Sequence, residues 1–392
     1  MPERPGNSEM ETARATAPKW GIFRGLLMAG ASVIFVVALI ELPALIQLVD
    51  YRTLIGPTHA WWAPNITDPE LGHVHRPYAH QAGAALGGDI STAFEIPRSD
   101  MTYFHWDVKY DHNGFRNAAD LTSADIAVIG DSMVEGLTVP DAQLTTSLLA
   151  QLQGKVVANL GQSAYGPLEE LVVLKRYALP LRLQTVVWMF FEGNDLGDVI
   201  SYQHAMRNRP SFWRSFWTRS FTRSAMKEVE LFFHSTAKPS GTLRAGIFQS
   251  PDGETRTVYF IYPSQPFDHA NLGALADTTR ALTEAHALCA AQGARLLVVL
   301  APEKFRVLKP FCQFPAASQC RNWTLNDLPT RLEKAVESIA PDAGYLDLTP
   351  YLTESVKRGE MPYYPDDEHW TPAGHKAVAE AINNYLSQTQ SH

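Results

Sequence analysis

A hydroxyl stands at residue 132 in the run I-A-V-I-G-D-S-M-V-E-G (126–136), where four apolar residues lead straight into Gly130, Asp131 and Ser132. A serine carried to the tip of a buried strand can act as a nucleophile if a base lies within hydrogen-bond reach. The stretch Y-P-D-D-E-H-W-T-P-A-G-H (364–375) offers that base in His369. Asp366, three residues earlier, can accept from the second ring nitrogen and fix the imidazole's tautomer; Asp367, two residues earlier, is the alternative acid. Two more stretches, N-L-G-Q-S-A-Y-G-P (159–167) and F-E-G-N-D (191–195), supply Gly161 and Asn194. The N–H of Ser132, the N–H of Gly161 and the side-chain amide of Asn194 are candidate donors to the oxyanion of an acyl-transfer intermediate. The plain alternative for the first stretch is a strand-to-helix loop capped by Asp131 or Ser132. Only the placement of the other three separates the two readings.

The surrounding pattern supplies elements able to position them. Strand-like apolar runs occur at 126–129, 155–160, 185–191, 295–300 and 344–348, with helical periodicity at about 142–153, 168–178, 271–292, 326–339 and 372–387. Apolar strands alternating with helices predict a parallel sheet covered on both faces, with ligands bound outside the strands' carboxyl ends. Three of the four stretches directly follow predicted strands and should share one rim; the fourth must fold back onto it. His375 reads as a structural or surface histidine, and His105, His112 and His204 have no partner spacing. Asp131 is expected to hold the nucleophile turn, and Asp195 and Asp198 to bond local backbone. Asp366, Asp367 and Glu368 lack a converging metal-ligand pattern.

Together the four blocks resemble those of the SGNH/GDSL hydrolase superfamily, with Ser132, Gly161, Asn194 and His369 in order. The resemblance covers about residues 110–388. It implies a three-layer α/β/α, flavodoxin-like fold with a mainly parallel five-stranded sheet, and ester chemistry without a metal or organic cofactor. Met133 follows the G-D-S where Leu or Phe is commoner. Asp366 has the family's usual D-x-x-H spacing and is preferred as the acid; Asp367 has the spacing of some membrane-anchored, polysaccharide-modifying relatives.

The rest of the chain sets location. No residue from Gly25 to Ile40 is charged, and an apolar stretch interrupted by Glu41 and Pro43 continues to Val49, long enough to cross a bilayer core. An uncleaved anchor over 21–49 is favoured over a cleaved signal peptide. Arg4, Arg14, Lys19 and Arg24 on its N-terminal side predict a cytoplasmic tail (1–20) and an exported body, periplasmic or extracellular. Residues 50–109 read as a stalk plus an irregular entry segment to the domain, and 200–265 as an insertion in the 110–388 domain. The insertion's centre, S-F-W-R-S-F-W-T-R-S-F-T-R, is expected to pack on the domain core, with a carbohydrate platform or a membrane-lying segment as alternatives. Cys312 and Cys320 enclose a seven-residue loop and could form a disulfide in an oxidising compartment, while Cys289 reads as a buried thiol. A net charge of −8 argues against nucleic acid as a partner. The expected function is a membrane-anchored serine esterase removing acyl groups, acetyl first, from an envelope or extracellular glycan. An O-acyltransferase fed by a membrane acyltransferase partner and a non-catalytic glycan-binding scaffold are the alternatives.

Overall fold

The structure, a computed structural model, describes residues 19–55, 65–208, 211–233 and 238–390. The tail expected over 1–20 therefore lies almost wholly outside the described residues. Two compact units account for the chain, one around residues 19–55 and 211–233 and the other made of the remainder.

The larger unit is built on five strands: β5 (Ile126–Gly130), β6 (Val157–Gly161), β7 (Thr185–Phe191), β10 (Arg295–Ala301) and β12 (Gly344–Asp347). Their spatial order is β12-β10-β7-β5-β6, every neighbouring pair parallel. These are the five predicted strands, with ends moved by one or two residues. Every residue of β5 and β7 is buried, as expected of strands covered on both faces. Two apolar cores flank the sheet, one containing Trp188 and Phe190, the other Val187, Met189 and Trp370. The helices that cover it include α4 (Thr145–Gln153), α5 (Pro167–Val173), α6 (Asp195–Arg207), α9 (His269–Ala290), α11 (Leu328–Glu337), α12 (Thr349–Lys357) and α13 (Pro372–Gln390). The fold is thus α/β with a five-stranded parallel sheet.

Residues 65–109 are not a stalk over their described length. They form two antiparallel pairs, β1 (Asn65–Asp68) with β2 (Gly72–His75), and β3 (His80–Leu86) with β4 (Tyr103–Lys109), the short helix α2 (Asp89–Ala93) lying in the connection from β3 to β4. β4 alternates strictly, burying Phe104, Trp106 and Val108 while exposing His105 and Asp107. That period of two is the mark of a half-buried strand. The region read as one insertion at 200–265 also divides. Residues 245–259 return to the larger unit as β8 (Ala245–Gln249) and β9 (Thr255–Tyr259), which form a small antiparallel sheet with β11 (Cys312–Gln313).

The other unit holds helix α1 (Lys19–Leu45), of which Phe23–Leu45 is long and apolar enough to cross a membrane. With it go α7 (Phe212–Arg219) and α8 (Phe221–Phe233). The aromatic segment, expected from its sequence to pack on the domain core, belongs to the same unit as α1. Glu41 joins the two. Its carboxylate accepts from the N–H of Phe221 (3.1 Å) and of Thr222 (2.7 Å), capping the start of α8. Tyr51 adds a ring contact to Phe221 and donates its hydroxyl to the Ile40 carbonyl at 2.7 Å.

The expected Cys312–Cys320 disulfide is not formed: all three cysteines are thiols. Cys312 is held in the pairing of β11 with β8, opposite Phe248, while Cys320 is buried in the core beside the sheet. Burial pushes Cys312 up to about 12 and Cys320 up to about 11, which disfavours the reactive thiolate.

Candidate functional site

Strand ends and one closed loop assemble the site. Gly130 and Gly161 lie opposite each other at the ends of β5 and β6. The chain then turns into the single-turn helix α3 (Ser132–Glu135), capped by Asp131, whose carboxylate accepts from the Met133 N–H at 2.9 Å. Gly161 is needed so that this turn can lie across the sheet edge: a Cβ there would sit 2.4 Å from the Glu135 nitrogen. From the other end of the chain, an antiparallel bridge between Tyr363 and Trp370 closes the loop carrying D-D-E-H, and Trp370 is buried beneath it.

These elements bring Ser132 and His369 together across 237 residues, with Oγ 2.9 Å from Nε2. The second ring nitrogen, Nδ1, donates to Asp367 Oδ1 at 2.6 Å, and the His369 backbone N–H donates to the same oxygen at 2.8 Å. A carboxylate can only accept, so Nδ1 carries a proton, and when the ring is neutral Nε2 accepts from the serine hydroxyl. Burial works against a charged His369. It is outweighed by Asp367, through charge and hydrogen bond, with further help from Asp89 and Asp131, and the imidazole is raised to about 10. Burial likewise opposes an ionised Asp367, but His369 and the backbone donors hold its carboxyl below the usual range.

The carboxylate bonded to His369 is therefore Asp367 and not Asp366, the residue preferred from spacing. Asp366 is fully buried and turned away, its Oδ2 accepting from the N–H of Gly88 (3.0 Å) and of Thr102 (2.9 Å), its Oδ1 from the Thr102 hydroxyl. Both carboxylates are in sequence range of His369, and the strap of residues 87–102 decides between them. Asp89 donates its N–H to Asp367 Oδ2 at 2.9 Å and accepts from the Glu368 N–H at 3.2 Å. Gly88 must be glycine at this crossing, since a Cβ would fall 2.5 Å from both Cβ and Oδ2 of Asp367. Lys304, wholly buried, donates to the carbonyls of Pro365 and Asp367, at 3.0 Å each. None of Gly88, Asp89, Thr102 or Lys304 was singled out by motif; the alternation of β4 was the one signal that this region is part of the body.

The expected donors fare unequally. The N–H of Ser132, in the first turn of α3, has no intrahelical acceptor. Asn194 precedes α6, near enough to Asp131, beside the serine, that its side chain favours the ionised carboxylate. Burial leads the effects on Asp131 and pushes it up to about 6. Gly161, by contrast, spends its N–H on Asn159 Oδ1 at 3.0 Å, so it is not available as a donor. The same loop leaves Ala164 exposed with φ 65°, a left-handed conformation unusual for a residue with a side chain. Asp195 behaves as expected, accepting from the Phe191 N–H at 2.9 Å. His375 is buried, with its Nδ1 facing Thr145, and burial drives it down to about 3. His105, His112 and His204 are exposed.

A polar cluster unforeseen from sequence supports the turn that carries Ser132. Glu135, buried at the end of α3, accepts from Tyr110 (2.7 Å) and from the Ser163 N–H (2.8 Å), and pairs with His75 at 2.9 Å. Burial alone would raise Glu135, yet the charge and hydrogen bond of His75, with Ser163 and Tyr110, hold it well below the usual range. Asp89, Asp367 and His369 are close enough to share a cation, their ligand atoms all within 4.8 Å of one another. Both nitrogens of His369 are already engaged by Ser132 and Asp367, so a metal there would have to dismantle the hydrogen-bond chain. Glu368 turns elsewhere and accepts from the Ile261 N–H at 2.6 Å.

Residues 261–392 match a protein family described as "SGNH hydrolase-like domain, acetyltransferase AlgX". That segment contains Asp367 and His369 but not Ser132. No curated protein matches the sequence. Similar solved structures include a carbohydrate esterase family 2 enzyme with a carbohydrate binding domain from Corynascus thermopiles (Myceliophthora fergusii), at 12% identity and TM-score 0.37, covering 76% of this chain and 75% of that one. A catalytic mutant of an acetylxylan esterase from Geobacillus stearothermophilus is 9% identical, with TM-score 0.36, over 68% and 95% of the two chains. A GDSL-like lipase from Bacteroides thetaiotaomicron is 12% identical, with TM-score 0.33, over 68% and 88%.

Proposed function

We propose that this chain, a member of the SGNH hydrolase superfamily, moves acyl groups through a covalent ester on Ser132, with acetyl groups on an exported glycan as the substrate class. The observation that carries the reading is the unbroken hydrogen-bond chain from Ser132 Oγ through His369 to Asp367. In the first half-reaction the Ser132 hydroxyl passes its proton to His369 Nε2 while Oγ attacks the ester carbonyl. Asp367 stabilises the imidazolium so formed. The tetrahedral oxyanion is received by the Ser132 N–H and an Asn194 amide hydrogen; each such donor is worth about 2.7–4 kcal/mol of barrier. With the Gly161 N–H committed to Asn159, any donor from the β6 loop must come from another amide, and the exposed backbone at Ala164 is the candidate. Collapse expels the alcohol, protonated by His369. Water, deprotonated by the same imidazole, then frees the acid and restores the serine.

Hydrolysis to the free acid makes the protein an esterase. A second reading keeps every residue and replaces water by a sugar hydroxyl, giving an O-acyltransferase that depends on a membrane partner for its acyl donor. The description of the family matched by residues 261–392 favours it. In either case α1 serves as an uncleaved anchor with its N-terminus cytoplasmic and the larger unit exported. The test uses the full chain in detergent with a chromogenic acetyl ester, with and without acetyl-free oligosaccharide. Ser132-dependent release of acetate supports the esterase, and acetylated sugar detected by mass spectrometry supports the transferase. Turnover that survives both Ser132→Ala and His369→Ala refutes the site.

A further inference from the structure

We propose that α7 and α8 form an amphipathic hairpin that lies on the lipid surface where α1 leaves the bilayer, held there by Glu41. The inference rests on reading α1 as a membrane span and concerns a surface remote in kind from the acyl chemistry. Three observations on this unit point to lipid as the occupant.

The first is the amount of apolar surface left uncovered. Phe212, Trp213, Trp217, Met226, Val229 and Phe233 are all exposed, Trp213 by 69% and Phe233 by 74%. Isolated exposed apolar residues are ordinary, but a contiguous row on two successive helices marks an interaction surface. On α8 the spacing 226, 229, 233 puts the row on one helical face.

The second is charge. The hairpin carries Arg214, Arg219, Arg223 and Lys227 against Glu228 and Glu230. Tryptophan and phenylalanine interleaved with cationic side chains suit the headgroup region, where rings sit at the acyl boundary and cations meet phosphate. Aromatic stacking on sugars would not call for this excess of cations.

The third is position. Glu41 lies near the C-terminal end of Phe23–Leu45, so a spanning α1 puts its carboxylate close to the membrane–water boundary. Its two acceptor bonds to Phe221 and Thr222 fix the first turn of α8 at that same level. The positive end of α8 in return offsets the charge of a carboxylate held there. The hairpin thus meets the bilayer wherever α1 emerges from it. A carboxylate that looked out of place in an apolar helix becomes the joint between span and surface.

The test reconstitutes the full chain into phosphatidylcholine–phosphatidylglycerol vesicles whose acyl chains carry bromine at a shallow position. Emission from wild type minus that of Trp213→Phe/Trp217→Phe isolates the α7 tryptophans. The expected difference spectrum is blue-shifted and quenched by the brominated lipid. Glu41→Lys should abolish that quenching while the chain still floats with vesicles and still turns over a soluble acetyl ester. Co-flotation with an unquenched difference spectrum overturns the hairpin placement alone, and assigns the apolar row to a protein or glycan partner. Failure to float overturns the span and the hairpin together. Acyl transfer on a soluble ester is untouched by either failure, which keeps this test separate from that of the catalytic reading.

Discussion

Replacing Asp367 by asparagine probes the site at the point where spacing and structure disagree. Both oxygens of Asp367 accept: Oδ1 from the two N–H groups of His369, Oδ2 from the Asp89 N–H. An amide has one acceptor oxygen and one donor nitrogen, so Asp367→Asn must abandon one side. If the amide nitrogen faces Nδ1, the ring moves its proton to Nε2 and can no longer accept from Ser132. If it faces Asp89, the strap loses its grip, and in both cases the charge that favours imidazolium is gone. In serine hydrolases the same exchange lowers kcat about 10⁴-fold by trapping the wrong tautomer. At about 1.36 kcal/mol per decade that is roughly 5 kcal/mol of barrier. Asp366→Asn makes the contrast. That carboxylate accepts from Gly88 and twice from Thr102 while buried, and losing part of this should cost about 1–3 kcal/mol of stability. Its turnover, normalised to folded protein, should stay near wild type. Steady-state hydrolysis of a chromogenic acetyl ester, with thermal unfolding of each variant, reads both numbers. An Asp367→Asn protein within tenfold of wild type, or a folded but inactive Asp366→Asn protein, would refute the assignment.

Gly88→Ala pushes a methyl into Asp367 without altering any group in the hydrogen-bond chain, and displacement of that acid should lower kcat about 10²-fold; unchanged kinetics would mean that the strap does not position it. Because His369 is raised from 6.5 to about 10, the neutral base accumulates only as pH rises through that window. The kcat/KM profile should therefore keep climbing on the alkaline side, and a plateau already reached at pH 7 contradicts it. The same shift makes the His369 contribution to stability complete below pH 6.5 and lost as pH rises through about 10, so unfolding temperatures should fall across the range in which activity rises. His75→Ala strands the Glu135 charge beneath the nucleophile turn and should cost about 3–5 kcal/mol in denaturant unfolding, whereas a change below 1 kcal/mol would show that the pair is not buried as described.

The amino-acid order alone disclosed the layered body and the two residues at the centre of the site. Strands and helices alternate in the periodicity of β5, β6, β7, β10 and β12, because period and burial are local properties of a chain. Ser132 and His369 were legible for a related reason: each sits in a short stretch whose neighbours make a strand end or a closed turn. That Phe23–Leu45 is long and apolar enough to cross a membrane likewise needs only length and composition. Tertiary structure decided everything that depends on contacts between distant residues. Asp366 and Asp367 are equally within reach of an imidazole two or three residues away. Only a strap 264 and 278 residues upstream takes one and leaves the other. Gly161 looked like a donor until its own strand placed Asn159 on its N–H, and the bridge that the spacing of Cys312 and Cys320 suggested is not made. The aromatic helices meet α1 through a carboxylate 180 residues away, at Glu41, a contact that no local pattern announces. Local pattern states what a segment can become; which partner it meets is set by competition among groups that are close only once the chain has folded.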